Sequence, residues 1–191
     1  MEIAKPDQAV PQEAWVQSGS VSDNITFSAK AAVDLDRTAE VIRACGLGPD
    51  MERWDDREQT YIGERGITLS GGQRQRICVA RAAYADSDIV LLDDPLSALD
   101  ANVGQHLLQN CILSGPLANR TRILVTHHLD VLPQADWIVM MDSNDNEGRI
   151  SQQGTYSVSA QSLPKHHTNL PATSEGSGTV QDLDQRLWIS L

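Results

Sequence analysis

Ser70-Gly71-Gly72-Gln73, with the helix-forming run that follows to Ala85, and then Asp88-Ile89-Val90-Leu91-Leu92-Asp93-Asp94 decide how this sequence folds. The first stretch has the S-x-x-Q spacing in which a serine and a glutamine cap each other's backbone at a helix start. The residues from Gln73 to Ala85 favour helix. The second stretch is an apolar run of strand length that ends in two carboxylates and is closed by Pro95. Because it does not alternate, it predicts a parallel strand buried on both faces. A helix feeding such a strand is the building unit of an α/β sheet.

Working outward, Leu99 to Leu113 reads as a helix, and Arg122-Ile123-Leu124-Val125-Thr126 as a second buried strand stopping at His127-His128. Trp137-Ile138-Val139-Met140-Met141 reads as a third strand, with turn residues Asn144, Asn146 and Gly148 before a short strand near Ile150. Upstream, the stretch from Asp23 to Tyr61 is polar and helical. Within it, Thr38 to Cys45 forms a short helix stopped by Gly46. Residues 1–21 read as loop, and Tyr61 to Leu69 as turns. From Thr155 onward Ser, Thr, Gln, Pro and Gly dominate until Leu187-Trp188-Ile189, so residues 155–191 read as a linker or disordered tail.

The chain has 191 residues, 40% of them hydrophobic, enough for one domain with a core, and that core must be aliphatic because Phe27 is the single phenylalanine. A net charge of -11 argues against an electrostatic grip on nucleic acid, so no nucleic-acid partner is expected. Backbone N–H groups can still bind a phosphate without net positive charge. Cys45, Cys78 and Cys111 are widely spaced and fit neither a disulfide framework nor a zinc site, which suits a reducing compartment. No run approaches the roughly 18 apolar residues of a membrane span. The start carries no signal-peptide core, so the chain reads as soluble and intracellular, or as a piece of something larger.

Ligands of open α/β sheets bind beyond the carboxyl ends of the strands. Asp93 and Asp94, His127, and the Ser70-Gly71-Gly72 helix start all converge there. Taken singly, each has a plainer reading: a solvated turn, a structural histidine, a folding signal. Together with their neighbours they say more. Leu69-Ser70-Gly71-Gly72-Gln73 is identical to the LSGGQ signature of ABC-type ATPases. Leu91-Leu92-Asp93-Asp94-Pro95, Ser97-Ala98-Leu99-Asp100 and Thr126-His127 resemble that family's magnesium-aspartate strand, D-loop and switch histidine, in the same order. Pro11-Gln12, Trp15 and Asp23-Asn24-Ile25 resemble its Q-loop region, so the resemblance covers residues 10–154.

The resemblance implies a partial P-loop NTPase fold of α/β class, with a mostly parallel sheet core and an inserted helical subdomain. It also implies ATP and Mg²⁺ as cofactors. Leu69, Ser70, Gly71, Gly72, Gln73 and Asp100 would face ATP held mainly by a second nucleotide-binding domain in a head-to-tail sandwich. Asp93 and Gln12 would hold Mg²⁺, and Gln12, Asp94 and His127 would serve catalysis. Asp94 stands where active members usually carry glutamate, and it is one methylene, about 1.4 Å, shorter. A misplacement of about 1 Å can cost on the order of a hundredfold in rate, so turnover through Asp94 is expected to be slow. That aspartate, with Pro95-Leu96-Ser97-Ala98-Leu99-Asp100, looks like the first nucleotide-binding domain of C-subfamily, multidrug-resistance-associated transporters. Thr60-Tyr61-Ile62-Gly63-Glu64-Arg65-Gly66 resembles the exporter loop whose glutamate touches the transmembrane domains.

One departure is large. The three lysines, Lys5, Lys30 and Lys165, follow Ala4, Ala29 and Pro164, so no register of G-x-x-x-x-G-K-[ST] fits. The expectation is therefore the C-terminal part of a nucleotide-binding domain over residues 1–154, lacking the N-terminal strands and the phosphate loop. Its helical subdomain spans about 22–85 and its core remainder about 86–154, with 155–191 as the tail. The activity implied is ATP binding and hydrolysis within an ABC exporter at the cytoplasmic face of a membrane. The alternative is a non-catalytic interaction module that donates the signature in trans, or a fragment without function.

Overall fold

The structure, a computed structural model, describes residues 8–27, 33–63, 67–144, 147–159 and 186–191. It is mixed α/β and divides into two compact units, Met1–Thr121 and Arg122–Leu191. The loop glutamate Glu64 lies outside the described residues.

The first unit is organised around the helix read from the capping box. That helix, α4 (Gly71–Ala85), starts at Ser70, whose hydroxyl accepts from the Gln73 N–H while the Gln73 side chain accepts from the Ser70 N–H. Every residue from Gln75 to Tyr84 is buried, so α4 is a central helix enclosed on all sides. It packs against α1 (Val21–Thr26), α2 (Leu35–Ala44) and the strand β1 (Gln8–Val10). Asp86, in the left-handed region at φ 58, stops it.

Residues 8–10, expected as loop, form β1, which pairs in parallel with β4 (Ile89–Asp93) through Gln8↔Val90, Ala9↔Leu91 and Val10↔Leu92. Three residues between prolines carry no readable pattern; only the partner strand makes them extended. β4 itself departs from the two-sided burial expected of it. Val90 and Leu92 are enclosed, whereas Ile89 and Leu91 remain 37% and 41% exposed. The strand is apolar on both faces but covered on one.

Short elements complete this unit: β2 (Gly19–Ser20), paired antiparallel with β3 (Tyr61–Ile62), and α3 (Gly48–Met51). The helix read over 99–113 is α5 (Ala101–Leu107), capped by the Asp100 side chain, continued by a π-helical turn over Leu108–Leu113. α1 has its own capping box between Ser20 and Asp23, and these hydrogen bonds hold the Asp23 carboxyl below the usual aspartate range.

The second unit holds β5 (Thr121–Thr126), β6 (Trp137–Asn144), β7 (Glu147–Gly154), the short α6 (Tyr156–Ser159) and β8 (Arg186–Ser190). β6 and β7 form the hairpin predicted from the turn residues. The last strand departs from expectation. Within the segment read as a tail, β8 inserts between β5 and β6 and pairs antiparallel with both, so Ile189 stands opposite Leu124 on one side and Ile138 on the other. All three are fully buried. Trp188, on the opposite face, is 40% exposed. Three apolar residues between Arg186 and Ser190, behind a long polar stretch, are a weak signal in one dimension; two flanking strands turn them into a core element.

Candidate functional site

Ser70 and Gly71 are exposed at the start of α4, and the backbone there is arranged by side chains behind it. Gln73 serves the cap through its Oε1, and its Nε2 donates to Asp50 Oδ1 at 2.8 Å. Asp50 in turn receives the Arg76 guanidinium at 2.7 Å, with both side chains buried. Arg76 also donates to the carbonyls of Gly72 and Gly46. The cap thus rests on a buried ion pair one turn further along the helix. The amides of Gly71 and Gly72 occupy the first two helical positions, which have no intrahelical acceptor. Neither amide has an acceptor among the described residues.

The two glycines are not equivalent. A Cβ on Gly71 would meet nothing within 4 Å, so that position opens to solvent. A Cβ on Gly72 would fall 3.0 Å from the Ala98 carbonyl oxygen and 3.2 Å from Leu99 Cδ2. Gly72 is therefore the contact through which the helix start packs on the segment 97–100. Gly72→Ala is expected to lower stability by about 1–3 kcal/mol through overpacking. Gly71→Ala should leave the melting temperature nearly unchanged, and thermal denaturation of the two variants checks the contrast.

Because β1 and β4 are parallel and Val10 faces Leu92, Gln12 and Asp94 both lie two residues past the same end of the strand pair. Gln12 is exposed, Asp93 half-buried, and Asp94 buried with φ 48, a left-handed conformation that aspartate tolerates better than most residues. The Ser97 N–H and hydroxyl donate to the Asp94 carbonyl at 3.3 and 2.9 Å, fixing the turn that leads to Asp100. Asp100 accepts from the Val103 N–H at 3.0 Å and is the cap of α5.

Leu69, expected with the signature residues, is 6% exposed, so its side chain lies in the core. In the second unit the His128 ring stacks on that of His127, with centroids 4.5 Å apart. The cause is local: His128 N–H donates to Thr126 Oγ1 at 3.0 Å, which ends the strand's alternation. His127 lies just beyond the carboxyl end of β5, as the sequence predicts.

Sequence reading missed Arg81. Its buried guanidinium lies 3.9 Å from the centroid of the Trp15 ring and donates to Asn24 O at 2.8 Å and Asn24 Oδ1 at 3.1 Å. Burial lowers its pKa. It links the signature helix to the segment after Gln12 and to α1. A third arginine in a helix that already carries Arg74 and Arg76 looks like part of a solvated face until the helix proves to be central.

The sequence model described as "ABC transporter" matches residues 4–97. The chain belongs to the ABC transporter family. Its relatives are of the C-subfamily kind, and it corresponds to part of their ATP-binding domain. It is 50% identical over 145 residues, 76% of its length, to "Multidrug resistance protein fer6" of Mycosarcoma maydis. It is 43% identical over 183 residues, 92% of its length, to "ABC transporter C family member 5" of Arabidopsis thaliana. It is 45% identical over 148 residues, 77% of its length, to "ATP-binding cassette sub-family C member 3" of Homo sapiens. The chain spans about a tenth of these ABC transporters: 10%, 12% and 9% of their respective lengths. Among the described residues no helix is long and apolar enough to cross a membrane.

Proposed function

We propose that this chain supplies the signature side of a composite ATP site in a C-subfamily exporter, with ATP hydrolysis coupled to transport. The observation that carries the reading is the open face at Gly71, where two amides have no acceptor among the described residues, at the positive end of a fifteen-residue helix. That end suits the terminal phosphate of a nucleotide. The Ser70 hydroxyl accepts in the cap and keeps its own proton for a phosphate oxygen.

The residues present fit a phosphate presented to them from outside better than a nucleotide held by the chain itself. The sequence has no glycine-lysine phosphate loop, and positioning with charge neutralisation supplies most of the catalysis in phosphoryl transfer. The nucleotide is then held mainly by a second nucleotide-binding domain. Asp93 and Gln12 are the ligands offered to Mg²⁺, a hard ion that prefers oxygen donors. Its chemistry there is charge neutralisation on the phosphates. Asp94 and His127 take the role of orienting the attacking water, and the short Asp94 side chain makes that step slow. Transmembrane domains are the second partner, through the loop around Glu64, which puts the chain at the cytoplasmic face of a membrane.

The test is ATP hydrolysis by the purified chain alone and mixed with an intact C-subfamily nucleotide-binding domain. The chain alone should be inactive, and the mixture should exceed the intact domain by itself. Gly71→Ala should abolish that stimulation with the fold retained, since its methyl would stand where the phosphate approaches. Equal stimulation by Gly71→Ala, or turnover by the chain alone, would contradict the reading.

A further inference from the structure

Three cysteines that look unrelated in sequence are not equivalent in the fold. Cys45 closes α2, and Cys111 lies in the π-helical turn that continues α5, 66 residues later. Their sulfurs are 3.5 Å apart, and both side chains are fully enclosed. A disulfide requires a further approach of about 1.5 Å, within reach of small side-chain rotations. Both thiols are free in this structure. Cys78 is placed differently, with its sulfur 3.1 Å from the Trp15 carbonyl oxygen and 3.8 Å from Arg81. It has no sulfur neighbour among the described residues.

We propose that Cys45 and Cys111 form a redox-sensitive dithiol, converted to a disulfide by a two-electron oxidant of the peroxide class. The bridge ties α2 to the helix that starts at Asp100. One sulfur, as thiolate, attacks a peroxide oxygen and becomes a sulfenic acid, releasing one water after proton transfer. The second sulfur then displaces the sulfenic oxygen, which leaves as a second water. Two S–H bonds and the O–O bond break, one S–S bond and two O–H bonds form, and each sulfur gives up one electron.

The surroundings set the character of this pair. Burial pushes the Cys45 thiol up and keeps it protonated at rest, while the charge of Arg76 works in the opposite direction. Arg76 also donates to the carbonyl of Gly46, and His106 Nε2 donates to the Arg43 carbonyl at 3.0 Å, so the helix end around Cys45 is held by both neighbours. Oxidation therefore waits for local opening of the α2 terminus and then locks it. Because the bridge closes a long loop in the unfolded chain, the oxidised protein gains stability. The inference does not depend on the ATP-site reading.

Exposure of the native chain to excess hydrogen peroxide, followed by thiol titration in denaturant, tests it. Thiols should fall from the three present in the sequence to one, and the intact mass should fall by about 2 Da. A proteolytic map should show the Cys45 and Cys111 peptides joined, and dithiothreitol should separate them. Cys78→Ala should form the same bridge, which guards against misreading a Cys45 or Cys111 variant that fails to fold. Three surviving thiols, oxygen addition without a bridge, or a bridge through Cys78 would each overturn the proposal.

Discussion

Asp50→Ala is expected to cost about 3–5 kcal/mol of folding stability, because it strands Arg76 as a buried charge. Among the described residues the Arg76 guanidinium would keep the carbonyl acceptors at Gly72 and Gly46 in place of a carboxylate at 2.7 Å. The loss would also release Gln73 Nε2, whose 2.8 Å bond to Asp50 holds the side chain that caps Ser70. A single substitution outside α4 would thus loosen the presentation of Gly71 and Gly72. Urea denaturation measures the stability term. The double variant Asp50→Ala with Arg76→Met separates the causes: much of the stability should return once the charge is gone, while stimulation of a partner's ATP hydrolysis should not. An Asp50→Ala cost below about 1 kcal/mol, the range of an exposed pair, would show that the ion pair is solvated in the native state.

Removal of residues 186–191 is expected to have a comparable effect on the second unit. β8 is hydrogen-bonded to both β5 and β6, so its loss would leave two unpaired strand edges where there had been none. It would also expose Leu124 and Ile138, now fully covered. Amide hydrogen exchange reads the outcome directly: protection of β5 and β6 should fall steeply, and α4 should keep its own. Unchanged protection in β5 and β6 would mean that β8 is not part of the folded sheet. A point version is available in Ile189→Ala, with an expected cost of about 2–5 kcal/mol for a large buried aliphatic side chain. Trp188→Ala should cost clearly less, since its ring is 40% exposed on the other face. Arg122 adds to the anchorage, because its backbone carbonyl accepts from the Leu191 N–H at 3.0 Å and its Nε donates to Leu191 O at 3.1 Å.

These expectations also mark the limit of reading in one dimension. The capping box at Ser70, the helix to Ala85, the strand ending at Asp93 and the pairing of β6 with β7 were all legible, because each depends on residues a few positions apart. The placement of Gln12 and Asp94 at one strand end followed only when β1 proved to pair in parallel with β4. Arg81 illustrates the opposite case. Its partners are Trp15 and Asn24, 66 and 57 residues away, and no local spacing announces them.

The sequence by itself determined where helices start, where apolar strands end, and which motif stands at those ends, since capping and periodicity are settled within one or two turns of chain. Only the tertiary structure decided which strand fills the space between β5 and β6, which face of β4 stays open, which glycine of the signature packs and which stays clear, and that Cys45 meets Cys111. Those outcomes depend on pairing surfaces dozens of residues apart, where burial and hydrogen-bond satisfaction select one arrangement among many that local preference allows.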